Sequence, residues 1–240
     1  MIERRPFEKL GKSDHGWLKA NFHFAFADYR NNDPSRVHWG ALRVWNNDRI
    51  APNSGFPPHP HRDMEIVTYV IKGAITHQDH LGNQGRTEAG QIQVMSAGNG
   101  IQHAEYNKES AETELFQIWI LPNKQGVPAR WETVQFPAEA RDGKLVPLAS
   151  GRGHDGAIPL YADGALFAGT LKAGQTITQR LDGRPAYLVP AKGRIEVLGG
   201  DGKATQANAR DGVAVVDEAE ITLKASEDAE IVLVETDKLN

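Results

Sequence analysis

What most constrains this chain is the period of its apolar residues, which is two, in short runs broken by glycine turns. Phe22, Phe24 and Phe26 alternate with Asn21, His23 and Ala25. The run MEIVTYVI (64–71) is rich in β-branched and aromatic residues, and LFQIWIL (115–121) resembles it. Shorter apolar runs stand at 186–189, 213–216 and 231–234. Lys72-Gly73, the glycine pair 82/85, Gly98-Asn99-Gly100, the triplet of glycines 199, 200 and 202, and Asp211-Gly212 separate them. Short strands spaced about 8–12 residues apart with such punctuation predict a sandwich or barrel. Long amphipathic helical stretches are absent, and the expected fold class is all-β.

A weak internal repeat sharpens that expectation. Lys72-Gly73-Ala74-Ile75 returns as Lys192-Gly193-Arg194-Ile195, an offset of 120, and Gly90-Gln91-Ile92-Gln93-Val94 returns at Gly212–Val216, an offset of 122. A period this long does not suit a solenoid but suits a duplicated β domain. The segment 122–143, with Pro122, Pro128, Pro137 and Gly126, reads as the connection. We therefore expect two domains, 1–140 and 141–240.

The 240 residues include no cysteine, which excludes disulfides, thiolate zinc sites, iron–sulfur clusters and a cysteine nucleophile. With 27 Lys+Arg against 31 Asp+Glu and no basic run, neither a nucleic-acid footprint nor a polybasic membrane patch is present. The first residues lack the apolar stretch of a signal peptide, and no segment approaches the ~18 apolar residues of a membrane helix. The expectation is a cytoplasmic protein with no nucleic-acid or membrane partner. Gly-x-Ser-x-Gly and phosphate-loop patterns are absent.

Histidine placement is the most informative chemical feature. Eight of nine histidines fall within the first 103 residues, where a uniform spread would place about four. His59-Pro60-His61 is a His-x-His pair, and residues i and i+2 of a strand share a face. His103-Ala104-Glu105 repeats that geometry. Together the two pairs offer three nitrogens and one carboxylate oxygen, a set suited to a borderline divalent metal. At an offset of 120, His59 and His61 map onto Gln179 and Leu181, and no histidine follows Gly212. The second half cannot rebuild the site. His77 and His80 lie three apart and do not share a strand face, so a surface or supporting role is expected of them. The five tryptophans, all within the first 131 residues, are expected to pack a core.

The stretch His59-x-His61-x3-Glu65-x7-Gly73, followed by Gly90-x7-Gly98-x-Gly100-x2-His103-x3-Asn107, resembles the two cupin motifs. The first spacing is slightly stretched, and Gly98 stands where the second motif has proline. More specifically, PHPHRDMEIVTYVIKG (58–73), HQDHLGNQG (77–85) and MSAGNGIQHAEYN (95–107) resemble the pirin branch of the bicupins. That resemblance implies two cupin barrels, with a metal held by His59, His61, His103 and Glu105 in the first and a degenerate second. The commoner cupin set uses the glutamate standing here at 65. Parity leaves it open, because 61 and 65 differ by four; the pirin pattern favours Glu105.

The resemblance also implies an activity, the oxidative cleavage of flavonols by a quercetin 2,3-dioxygenase. Glu105 would take the proton of the flavonol 3-hydroxyl, and reaction with molecular oxygen would release carbon monoxide. The expected cofactor is one divalent transition metal per chain, iron foremost, with nickel, cobalt, manganese, copper or zinc as alternatives. The expected partners are a flavonol or other small phenolic and O2, and the expected state is a monomer. The alternative is a metal-dependent redox sensor or transcriptional co-regulator acting through a protein partner. A further cupin reaction, such as isomerisation, also stays open.

Overall fold

A computed structural model describes residues 1–25, 33 and 36–239. It is all-β: its helical segments among the described residues are two single 3-10 turns, Phe7–Lys9 and Glu139–Arg141. The strands form four sheets, two of seven strands and two of four, and each large sheet backs a small one.

The first small sheet runs in the order Ser54–His61, Ile101–Asn107, Ala74–Asp79, Gln84–Glu88. The second runs Thr176–Arg180, Glu220–Ala225, Arg194–Leu198, Ala204–Asn208. The chain visits these positions in the same sequence both times, so the offset near 120 residues is a repeat of topology. In the large sheets the central strands also correspond, with Gln91–Ser96, Glu65–Lys72, Thr113–Ile120 and Leu42–Ile50 matching Gly212–Val215, Ala186–Lys192, Ala229–Thr236 and Gly164–Leu171. This is the two-barrel cupin fold.

The outer strands of the large sheets are exchanged. Ile2–Arg5, at the start of the chain, pairs antiparallel with Gly212–Val215 of the second barrel. Arg130–Gln135, just before the second barrel, pairs with Gln91–Ser96 of the first. Each covers a sheet edge that would otherwise present unpaired backbone groups. The segment read from its prolines as a plain connection thus contains a strand. Between Pro128 and Pro137 it is only six residues long, too short to stand out as a periodic run.

The two large sheets pack face to face on one continuous core. Trp45, Val67, Tyr69, Phe116 and Ile118 of the first barrel interleave with Leu166, Tyr187, Val189, Val232 and Val234 of the second. Glu65–Lys72 is accordingly buried on both faces, which is why its sequence is a nearly unbroken apolar run. Val67, Tyr69 and Ile71 face the other barrel. Ile66, Thr68 and Val70 face the interior of their own. At the seam, the buried Arg5 guanidinium lies 5.4, 5.3 and 5.4 Å from the ring centroids of Phe24, Trp39 and Tyr187. His23 Nδ1 lies 2.9 Å from the Tyr187 hydroxyl.

The alternation at Phe22 and Phe24 is not one strand face. The strand Leu18–Phe22 ends there, Phe22 packs inside the first barrel and Phe24 packs in the seam. Phe26 lies outside the described residues. Trp45 is fully buried in the seam core, and Trp119 instead lines a cavity. No helix of the described residues is long and apolar enough to cross a membrane.

Candidate metal centre

Ser54–His61 is the edge strand of the first small sheet, and its prolines 57 and 58 fall at a bulge, both of them places where a strand tolerates proline. Its register against Ile101–Asn107 places His59 opposite His103 and Phe56 opposite Glu105, with a bulge between the two pairs. The imidazole centroids stand 4.8 Å (His59–His61), 4.5 Å (His59–His103) and 5.0 Å (His61–His103) apart. Each of the three offers a nitrogen within 4.8 Å of the others. A second group of the same compactness, His77, His103 and Glu105, shares His103 with the first. Both His103 and Glu105 line a cavity of about 210 Å³ with apolar walls that include Phe56, Ile66 and Trp119.

Burial keeps the His61 and His103 rings neutral. Burial, then the neighbouring His59, pushes His61 down to about 4. Burial, with further repulsion from His59, His61 and His77 against an opposing pull from Asp79, pushes His103 down to about 2. A neutral imidazole keeps the lone pair that a cation requires. His59 Nδ1 lies 2.8 Å from the Pro57 carbonyl, which can only accept, so Nδ1 donates there and Nε2 is the nitrogen left for a cation. His103 Nε2 is buried with no hydrogen-bond partner. A buried nitrogen left unpaired costs on the order of 1–3 kcal/mol, which a bound cation would remove.

Glu105 is buried and held by amides. Its Oε2 accepts from Gln117 Nε2 at 3.0 Å, and its Oε1 accepts a short bond from Gln93 Nε2. Burial raises its pKa, opposed by His77, His59 and the two amides. Three imidazoles and a carboxylate lining one cavity are a donor set that fits a borderline divalent ion.

The turn 62–64 resets strand parity, with Asp63 at φ 45°. Glu65 therefore falls on the strand face that looks away from the cavity, where it accepts from Ser96 Oγ at 2.8 Å and from the Tyr161 backbone of the second barrel. Gly98, standing where the usual motif has proline, has φ 43°, and a Cβ there would lie 2.1 Å from the Val127 carbonyl oxygen. Proline is locked near −65° and cannot take that conformation.

Several cavity or supporting residues were not singled out from the sequence. Asp48 is buried in the cavity wall with Oδ1 unpartnered, and burial, then Glu105, pushes it up to about 8. Thr68, Gln93 and Gln117 surround Glu105. Their one signal is a lone polar residue within a largely apolar strand. His77 is fully buried beside His103, whereas His80 is exposed and accepts from the Gln102 N–H at 3.1 Å.

In the second barrel, strand register puts Gln179 opposite Ile221, as His59 stands opposite His103. Leu181 bonds Ala219 across the same pair of strands, and Leu223 stands opposite Val197 as Glu105 stands opposite His77. The four corresponding positions thus carry an amide and three aliphatic chains. Among the described residues, no compact His/Asp/Glu group lies in that half.

Comparison with known proteins found the following. A family model described as Pirin matches residues 3–120, and one described as Quercetinase C-terminal cupin domain matches residues 147–236. A Caulobacter vibrioides protein named Pirin-like protein is 58% identical over 237 residues, covering 98% of this chain and 99% of its own. An Escherichia coli K12 protein named Quercetin 2,3-dioxygenase is 39% identical over 235 residues, covering 97% of each. Among solved structures, the bacterial pirin YhhW from Escherichia coli in complex with nickel(II) matches with a TM-score of 0.90 at 34% identity, over 100% of both chains.

Proposed function

The chain belongs to the pirin family, and from that premise we propose that it is a metal-dependent dioxygenase that cleaves flavonols such as quercetin. The observation that carries this reading is a cluster of three imidazoles, two of them held neutral by burial, lining with one buried carboxylate a cavity with aromatic walls. His59, His61, His103 and Glu105 would hold one divalent ion per chain, within the unit 1–140; the unit 141–240 would hold none. A bound divalent ion supplies positive charge that holds an oxyanion and open positions for ligands. Iron is our first choice; nickel is the ion present in the Escherichia coli pirin structure, and availability rather than affinity order decides occupancy.

The chain's own residues supply the rest. Phe56 and Trp119 give a flat polyphenol apolar surface and exclude water from one side of the cavity. Glu105 takes the proton of the flavonol 3-hydroxyl. Burial raises its basicity toward that task, and the Gln93 and Gln117 amides fix its direction. Asp48, neutral near pH 7 because of its burial, can donate to a second oxygen of the substrate. One O2 is consumed and one carbon monoxide leaves for each depside formed.

The test is oxygen uptake on addition of quercetin to protein of known metal content. Uptake proportional to bound metal and accompanied by carbon monoxide supports the reading. A metal-loaded protein that consumes no oxygen over a panel of phenolics overturns it, and conformation that changes with the metal's oxidation state would then favour the sensor.

A further inference from the structure

His77 lies behind the candidate centre, on the side of His103 away from the cavity. Asp79 ends the same strand, and its buried carboxylate accepts four hydrogen bonds. Oδ1 takes the N–H groups of Leu81 and Asn83 at 2.9 and 3.0 Å; Oδ2 takes Asn83 Nδ2 at 2.9 Å and His77 Nε2 at 3.0 Å. A carboxylate so occupied is an acceptor at every position, so His77 donates from Nε2, and in the neutral imidazole its Nδ1 is the acceptor. That Nδ1 lies 3.3 Å from His103 Nδ1. Two bare nitrogens would repel, so His103 carries its proton on Nδ1. Its lone pair is then on Nε2, the buried atom without a partner.

The opposite side of the His77 ring is fixed from the exchanged strand. Trp131 of Arg130–Gln135 stacks on it, with centroids 4.7 Å apart and planes at 6°. The stack is possible because residue 85 is glycine, where a Cβ would lie 2.3 Å from the Trp131 ring. The same indole donates from Nε1 to Gln93 Oε1 at 3.1 Å. An indole N–H can only donate, so the Gln93 amide must turn its oxygen to Trp131 and its nitrogen to Glu105. One side chain therefore orients the groups behind two of the four proposed ligands.

We infer that His77, clamped between Asp79 and Trp131, is a positioning residue that holds His103 in the Nδ1–H tautomer and so presents Nε2 to the cation, and that Trp131 orients Glu105 through Gln93. The inference rests on the reading of His103 as a ligand. Partners of this kind behind a metal-bound histidine fix its tautomer and contribute about 10–100-fold to affinity.

The first test needs neither variant nor metal: long-range nitrogen–proton NMR of the metal-free protein, labelled at histidine. His103 should be protonated at Nδ1 and His77 at Nε2; His103 protonated at Nε2 overturns the inference. The second is nickel(II) titration by calorimetry, with the cobalt(II) visible spectrum as a readout of ligand geometry. His77→Phe, which keeps the stack on Trp131, should weaken nickel about 10–100-fold and alter the cobalt spectrum. His77→Asn, whose carbonyl can replace the Nδ1 acceptor, should recover part of that loss. Equal nickel affinity in His77→Phe and the unsubstituted protein overturns the positioning role while leaving the metal reading intact. An unsubstituted protein that binds no nickel, cobalt or iron overturns the metal reading itself, and the positioning role with it.

Discussion

Across the large sheet of the first barrel, Asn46, Gln117, Thr68 and Gln93 stand side by side in register. Across that of the second, the corresponding row is Phe167, Leu233, Leu188 and Val213. Facing these rows from the small sheets are Glu105 and His77 in one case and Leu223 and Val197 in the other. The backbone repeats, and the content of the interior is inverted. An uncompensated carboxylate or amide in such a place is costly, so the polar row and the buried glutamate must occur together or not at all. The second barrel shows the other consistent solution, a closed aliphatic core.

The most drastic way to break the comparison is to separate the barrels. A fragment ending at Arg141 should aggregate, because it uncovers the seam core around Trp45, Tyr69 and Phe116 and leaves Ile2–Arg5 without its partner strand. A soluble, metal-loaded fragment by gel filtration and elemental analysis would show the second barrel to be dispensable. Next in size, His59→Ala/His61→Ala should take bound metal from one ion per chain to none, with turnover lost. Metal retained at full stoichiometry would mean that the second barrel, or His77, holds it.

Glu105→Gln removes the proposed proton acceptor and should lower kcat about 10²–10⁴-fold. Glu65→Gln, on the far face of its strand, should leave kcat within a few-fold. The reverse ranking would move the catalytic carboxylate to position 65. A smaller effect lies at the seam. Burial, then Arg5, pushes His23 down to about 3 from an ordinary 6.5, so the unfolded chain binds its proton first as pH falls. Stability from this group is whole above about pH 6.5 and declines toward pH 3, by up to about 1.4 kcal/mol per pH unit. Urea midpoints at pH 7 and pH 5 should differ less in His23→Gln than in the unsubstituted protein. The smallest effect is expected of Gln179→Ala, at the position corresponding to His59, which should leave metal content and turnover unchanged.

Much of this was legible in the sequence because it depends on local periods. Alternation gave the strands, the Lys-Gly turns gave the repeat, and His-x-His beside His-x-Glu marked one half as different. The row behind Glu105 was not legible, because a lone Thr68 or Gln93 in a strand looks the same whether it points to water or inward until a partner strand is known. Glu65 was ambiguous for a related reason: counting parity through the turn 62–64 assumes a continuous strand, and Asp63 breaks it. The exchanged strands were hidden because nothing in IERR or RWETVQ names a partner over 200 residues away in one case and about 40 in the other.

The exchange also sets a clock. Ribosomes add about 5–20 residues per second, so Ile2 leaves the peptidyl centre roughly 10–40 s before Val215, its pairing residue, has been made. Throughout that interval the first four-residue strand has nowhere to dock, and its Glu3, Arg4 and Arg5 keep an unpaired edge soluble. The other exchanged strand waits only from Ser96 to Arg130, about 2–7 s at the same rates. The barrel with the histidines can therefore close its own sheet early, while Ile2–Arg5 docks only once Gly212–Val215 has been made.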